Sequence, residues 1–256
     1  MDRRFFLTSM AGAGFLPQAA AQESGRRTRL YRIDYFYYRQ GSQAARLNQF
    51  LSSQTPLLSK HFVTLGVFNA VFAPRLQTTM VLTGFTGWDE MIDAGRNVEA
   101  DPGFQKAFEE LESGSEPSFD RGQRLLLQAT DFSPEIEPLT EKPKSPRYFE
   151  LRVYHSPTRR QLRMVHDRFA GPEIKIFHRS GIHPIWYADT IFGPDLPNLA
   201  YFIPFATQAD REKAWDTFAA DPEWVKVRAE SVARGGQIVD NNDISLWRAA
   251  PFSPIQ

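Results

Sequence analysis

Arg32-Ile33-Asp34 and Glu150-Leu151-Arg152-Val153-Tyr154 set charged and phenolic side chains at every second position of segments otherwise built from Tyr, Phe, Ile, Leu and Val. That is strand alternation, in which residues i and i+2 share a face. If Phe149, Leu151 and Val153, with Tyr31, Ile33 and Tyr35 in the earlier segment, face helices, then Arg32, Asp34, Glu150, Arg152 and Tyr154 face the side where two sheets meet. Two Arg, two carboxylates and a Tyr lining one pocket could hold an anionic or enolate-like oxygen on Arg and move a proton through Tyr or a carboxylate. The same residues also suit ion-paired struts, Arg32 with Asp34 and Arg152 with Glu150, because a buried charge is costly unless paired. His178 and Arg179 end an apolar-periodic stretch, where a cation meets the negative end of a helix dipole; His61 lies in the corresponding earlier region.

Other chemistries find little support. His155, His166 and His183 lack metal-ligand spacing, and the chain has no Cys, so a metal site is not expected. Neither a Gly-rich nucleotide loop nor a Gly-x-Ser-x-Gly elbow occurs. Lys plus Arg and Asp plus Glu both number 30, with no basic stripe, which argues against nucleic acid as a partner. Trp186, Tyr187, Trp215, Trp224 and Trp247 read as core and interface filling.

The elements that must position these residues recur at a spacing of 120. Tyr31-Arg32-Ile33 is answered by Leu151-Arg152-Val153, Ala73-Pro74 by Gly193-Pro194, Ala100-Asp101-Pro102 by Ala220-Asp221-Pro222, and Phe132-Ser133-Pro134 by Phe252-Ser253-Pro254. So long a period predicts two duplicated domains, 28–134 and 147–256, rather than a solenoid. In the second copy, strands are expected over Tyr148 to His155, Ile182 to Thr190, Leu199 to Phe205 and Ile244 to Ala249. A helix broken at Gly171-Pro172 follows the first strand, and a helix from Gln208 to Ala219, then a short one from Asp221-Pro222, precedes the last. The first copy reads as strands Leu30 to Tyr37, Val67 to Phe72, Thr78 to Phe85 and Arg124 to Ala129, with helices from Gln43 to Lys60 and from Trp88 to a break at Asp101-Pro102. The order is β-α-β-β-α-β, the ferredoxin-like arrangement. The fold class is therefore α+β. Residues 135–146, with three Pro and alternating charges, have linker composition. A four-stranded sheet with helices on one face leaves the other bare, so the two sheets are expected to pack against each other around a barrel-like interior.

The amino terminus joins Arg3-Arg4-x-Phe6-Leu7 to a short apolar run and Ala19-x-Ala21, which predicts a twin-arginine-like export signal over 1–21 cut after Ala21. Its removal leaves 28 basic and 29 acidic residues. No apolar run of 18 or more follows, so no membrane span is expected after cleavage, and a periplasmic or secreted location is.

Phe149-Glu150-Leu151-Arg152-Val153-Tyr154, then Phe169-x-Gly171-Pro172-Glu173-x-Lys175-x-Phe177-His178-Arg179-Ser180-Gly181-Ile182, Ala220-Asp221-Pro222-Glu223-Trp224 and Trp247 together resemble the NIPSNAP domain. The resemblance covers the second copy and, more faintly, the first. It implies a dimeric α/β-barrel fold, shared with antibiotic-biosynthesis monooxygenases and haem-containing peroxidase relatives, but no agreed catalytic residues. It also makes His178 a candidate axial ligand should haem be the cofactor. Small-molecule binding or cofactor-independent monooxygenase- or isomerase-type chemistry is one expected function; a non-catalytic assembly module, including a homo-oligomer, is the other.

Overall fold

A computed structural model describes residues 27–256 apart from 40, 114, 138, 140, 142 and 144. The export-signal segment 1–21 and parts of the linker lie outside the described residues. The chain runs β1 (Leu30–Tyr37), α1 (Ser42–His61), β2 (Thr64–Phe72), β3 (Thr78–Phe85), α2 (Trp88–Ala100), α3 (Pro102–Glu112) and β4 (Arg121–Ala129). It continues with β5 (Tyr148–His155), α4 (Arg159–Arg168), α5 (Ile174–Arg179), β6 (Trp186–Phe192), β7 (Asn198–Phe205), α6 (Gln208–Ala220), α7 (Pro222–Gly235) and β8 (Asn241–Ala249). Among the described residues no helix is long and apolar enough to cross a membrane.

Local chemistry sets the helix boundaries. The Asp101 carboxylate accepts from Phe104 N at 2.8 Å and Asp221 from Glu223 N at 2.9 Å, each with Pro in the first turn, so each Asp-Pro ends one helix and caps the next. Thr158 and Thr207 cap α4 and α6 in the same way. Between α4 and α5 the break expected at Gly171-Pro172 is a wide π-helical turn, Phe169–Glu173, in which Gly171 leaves helical geometry.

The eight strands close into one antiparallel barrel in the order β1-β3-β2-β8-β5-β7-β6-β4. Each half of the chain supplies four adjacent strands. The halves meet edge to edge, through β2–β8 pairing with Phe68 opposite Ala249 and β4–β6 pairing with Leu127 opposite Thr190. Hydrogen-bonded seams thus replace the expected packing of two separate sheets. After β4 and β8 the repeated Phe-Ser-Pro segments brace these seams. Thr130 N donates to Tyr187 O and Tyr187 N to Ser133 Oγ, both at 3.0 Å; Ala250 N donates to Val67 O at 2.8 Å and Val67 N to Ser253 Oγ at 2.9 Å.

Both faces of the sheet are buried along most of β1, β3, β5 and β7. Tyr31, Ile33, Phe68, Phe149, Leu151, Trp186, Phe202 and Trp247 fill the barrel interior. Outside it, α1 to α3 cover a core that includes Leu30, Phe36, Leu47 and Phe85, and α4 to α7 cover one that includes Phe169, Phe177, Tyr201 and Phe218. This reverses the expected strand parity. Ile33, Phe149 and Leu151 point into the barrel, while Arg32, Asp34, Glu150, Arg152 and Tyr154 point toward the helical layer. On that side Asp34 gains Arg124 of β4 and Glu150 gains Arg211 of α6, whereas the barrel interior is lined by apolar and aromatic side chains.

Candidate functional site

The charged residues singled out by alternation are held in two separate clusters between sheet and helices. In the first, Arg32 Nε lies 2.8 Å from Asp34 Oδ2 without the alignment of a hydrogen bond, Arg124 Nε donates to Asp34 Oδ1 at 2.6 Å, and the Arg32 guanidinium stands under 6 Å from the Phe62 and Phe85 rings. Burial pushes the Arg32 pKa down, opposed by Asp34. In the second, the fully buried Glu150 accepts from Arg152 and from Arg211 of α6, and the Arg152 guanidinium lies 3.4 Å over the Trp215 ring. Tyr154 packs edge-on to Tyr201, and burial raises its pKa. The geometry is that of paired struts, with no common cavity joining the five residues.

His178 and Arg179 also stand apart from the barrel interior. Arg179 is exposed and forks onto Asp221 at 2.8 and 2.7 Å, with Glu223 at 2.8 Å, tying the end of α5 to the cap of α7 and holding the Asp221 pKa down at about 2. His178 stacks on His183 with ring centres 5.1 Å apart; burial and that neighbour lower its pKa. The layer between the second sheet and its helices is packed with Tyr154, Phe169, Phe177, Tyr187 and Tyr201, and His178 lines neither this core nor the barrel cavity described next. These residues do not fit an axial histidine over haem. No group of three or more metal-ligating side chains occurs among the described residues.

The concave site is at one mouth of the barrel, on the face opposite to those struts. A partly enclosed cavity of about 320 Å³ opens between the β2–β3 and β6–β7 hairpins. Its wall follows i, i+2 steps, with Ile244 added on β8: Ile33-Tyr35-Tyr37 on β1, Gln123-Leu125-Leu127 on β4, Leu151-Val153-His155 on β5 and Asp243-Ser245-Trp247 on β8. Each strand contributes apolar residues deep in the barrel and polar ones at the rim. Most of the wall is apolar, with few convergent polar groups, the composition of small-molecule sites.

Those polar groups are fixed by neighbours. Tyr37 Oη donates to Gln123 Oε1 at 2.7 Å, and the Arg75 guanidinium caps the Tyr37 ring at 4.7 Å. His155 Nδ1 is 3.1 Å from the Asp195 carbonyl and Nε2 is 2.9 Å from Asp243 Oδ2, so the imidazole is held between two acceptors. Asn241 Nδ2 in turn donates to Asp243 Oδ1 at 3.0 Å. Asp195 adopts the left-handed region, φ 56°, which aims its carbonyl at the imidazole. Trp247 Nε1 donates to Ser245 Oγ at 2.8 Å, orienting an indole whose ring lies 5.7 Å from that of Tyr35. The Tyr35 hydroxyl has no hydrogen-bond partner among the described residues, and burial raises its pKa, so it stays a neutral donor. Asn198 Oδ1, on the same wall, is a buried acceptor without a partner. A hydroxyl facing the cavity and a buried acceptor without a partner on one largely apolar wall are what a bound polar group would complete.

Sequence reading placed Tyr35 among helix-facing residues and took Trp247 as core filling. It discounted His155 for lacking metal-ligand spacing. The signal that finds them is the same alternation read in the opposite parity.

Comparison with known proteins follows this geometry. Residues 149–254 match the family model described as NIPSNAP, spanning β5 to the tail after β8. A search of curated proteins returns no match. Among solved structures, a provisionally named monooxygenase of Fusobacterium nucleatum is 5% identical, with a TM-score of 0.58 over 87% of this chain and 93% of its own. A provisionally named monooxygenase of Lactobacillus acidophilus is 9% identical, with 0.53 over 87% and 94%. A mutant chlorite dismutase of Candidatus Nitrospira defluvii is 6% identical, with 0.52 over 88% and 93%. At these identities the likeness is one of fold, an α+β ferredoxin-like barrel. The second half of this chain, residues 149–254, is a NIPSNAP domain.

Proposed function

We propose that this chain is an exported small-molecule-binding protein whose ligand occupies the barrel-mouth cavity, with cofactor-independent oxygenase- or isomerase-type chemistry there. The observation that carries the reading is the cavity itself, about 320 Å³, apolar and bordered by the unpartnered Tyr35 hydroxyl and the His155–Asp243 pair. A compact ring compound bearing one hydroxyl or carbonyl suits it: the ring lies against Leu125, Val153 and Trp247, and its oxygen accepts from Tyr35. Hydrogen bonding of that oxygen by Tyr35 stabilises the enolate or phenolate form, and the rim carboxylate of Asp243 receives the proton. The monooxygenase names of two fold neighbours favour this class. The test is titration of the protein with naphthols and anthrone, read by quenching of Trp fluorescence and by oxygen uptake. Saturable quenching that weakens in Tyr35→Phe and His155→Asn supports the reading; no quenching by any of these compounds overturns it.

The second reading is a non-catalytic assembly module, favoured by the charged residues of β1 and β5 being engaged as struts. Under it, the barrel serves a homo-oligomer and the cavity is incidental. Export rests on Arg3-Arg4 and Ala19-x-Ala21. Mass spectrometry of the secreted or periplasmic fraction should find a chain beginning at Gln22, whereas cytoplasmic protein retaining Met1 would rule export out. The two halves, 28–134 and 147–256 joined by 135–146, are read as a duplication on the strength of the 120-residue offset.

A further inference from the structure

The opposite mouth of the barrel holds a second pocket, of about 210 Å³, that shares no lining residue with the cavity above. Phe68, Phe149, Trp186 and Phe202, all fully buried, fill the interior between them. Leu65 at the start of β2, Ile185 just before β6, Ile136 of the linker and Ile255 of the C-terminal tail give this pocket apolar walls, and Arg147 is its one cation among the described residues. Arg147 stands 5.2 Å over the Phe149 ring. It makes no ion pair or hydrogen bond with any described residue, and its Nε is buried without a partner. A guanidinium so placed has lost part of its hydration without gaining an acceptor.

The molecule contains its own control. Arg27 precedes β1 as Arg147 precedes β5, exactly one 120-residue offset away, and Arg27 Nε is paired with Glu135 at 3.2 Å. The other oxygen of the Glu135 carboxylate accepts from Thr28 N at 3.1 Å. The residue 120 positions after Glu135 is Ile255. The first site therefore carries a built-in carboxylate, and in the second that carboxylate is replaced by an apolar side chain which lines the pocket instead.

We propose that this pocket binds an amphipathic monocarboxylate, its carboxylate on Arg147 and its hydrocarbon part against Leu65, Ile136, Ile185 and Ile255. The ligand supplies the acceptor that Glu135 supplies to Arg27. Size and wall chemistry select a short aliphatic chain over a phosphate or a dicarboxylate, since an apolar wall leaves a second charge unsolvated. Glu137, exposed at the rim, restricts the site to a single negative charge.

The test titrates the full chain with octanoate, and separately with octanol, by isothermal titration calorimetry. Saturable binding of octanoate but not of octanol is expected. Arg147→Gln should weaken binding by about tenfold or more, the loss of a charge-assisted hydrogen bond, with an unchanged circular dichroism spectrum. Arg75→Gln, at the other mouth, should leave it unaltered. Ile255→Glu places the first site's carboxylate in the second; it should abolish binding while raising the melting temperature. Octanoate binding that survives Arg147→Gln, equal binding of octanol, or no saturable octanoate binding by the unsubstituted protein overturns the proposal. So does a fall in melting temperature in Glu137→Gln equal to that in Arg147→Gln, which would make Glu137 the partner of Arg147. The barrel-mouth reading stands or falls separately, because its probes and variants address residues on the other side of the aromatic plug.

Discussion

Glu150 is completely buried and holds two guanidiniums, one from its own strand and one from α6. That asymmetry decides what each substitution costs. Arg152→Met leaves Glu150 still paired with Arg211 and replaces a cation over Trp215 with a flexible apolar chain, so a loss of roughly 1–3 kcal/mol is expected. Glu150→Ala strands two cations, one of them largely buried, and should cost roughly 3–5 kcal/mol. Urea denaturation of both variants checks the ordering, and equal losses would show that Arg211 does not share the load. Glu173 offers a pH test. It is buried against Arg168, whose Nε donates to it at 2.6 Å, and burial raises its pKa above the ordinary 4.5 despite that partner. A folded-state pKa above the unfolded one means the fold binds this proton more tightly. The contribution is therefore fully present below about pH 4.5 and is lost as pH rises through the folded-state pKa. Stability measured against pH should fall less steeply above 4.5 in Glu173→Gln than in the parent; parallel profiles would show that Glu173 keeps an ordinary pKa.

Seams, at the level of elements, are where the barrel depends on few contacts. The Ser133 and Ser253 hydroxyls accept from buried strand amides, Tyr187 N and Val67 N, that would otherwise lack a partner. Ser133→Ala and Ser253→Ala should each cost roughly 1–3 kcal/mol, the desolvation cost of an orphaned buried N–H. Hydrogen exchange should show the amide of Tyr187 or Val67 losing protection first; unchanged protection would mean water takes the hydroxyl's place. The repeated Phe-Ser-Pro was visible in the sequence, but its role was not, because the strand it braces lies 54 residues away in one case and 186 in the other. Element order was legible, since the Asp-Pro caps and the Gly-Pro break are local signals. Strand facing was not. Alternation tells apolar from polar faces, and here both faces of β5 are buried, one in the barrel and one under helices. Alternation therefore assigns the charges to the interior, whereas the second partner of Glu150, Arg211, sits on a helix that alternation within β5 cannot reveal. One consequence is that the cavity's polar residues, Tyr35, Tyr37 and His155, went unassembled although their i, i+2 spacing was in view.

For the whole molecule, barrel closure makes each half dependent on the other. Strands β6 and β8 bound the second half, and in the intact chain their outer edges pair with β4 and β2. Residues 146–256 alone would expose both edges, and with them the apolar inner surface formed by Phe149, Leu151, Phe202 and Trp247. Since β6 occupies in its half the place that β2 occupies in the other, and β8 that of β4, two copies can close an equivalent barrel by pairing β6 of each with β8 of its partner. The isolated segment should accordingly dimerise in light scattering, with a melting temperature that rises with concentration because folding and association are linked. Adding residues 27–134 should convert part of that population to the heterodimer, which restores the native seams. A monomeric segment that unfolds cooperatively at a concentration-independent temperature would show that the inner surface is covered within one half, and the closed barrel would then no longer explain why the two halves share one chain.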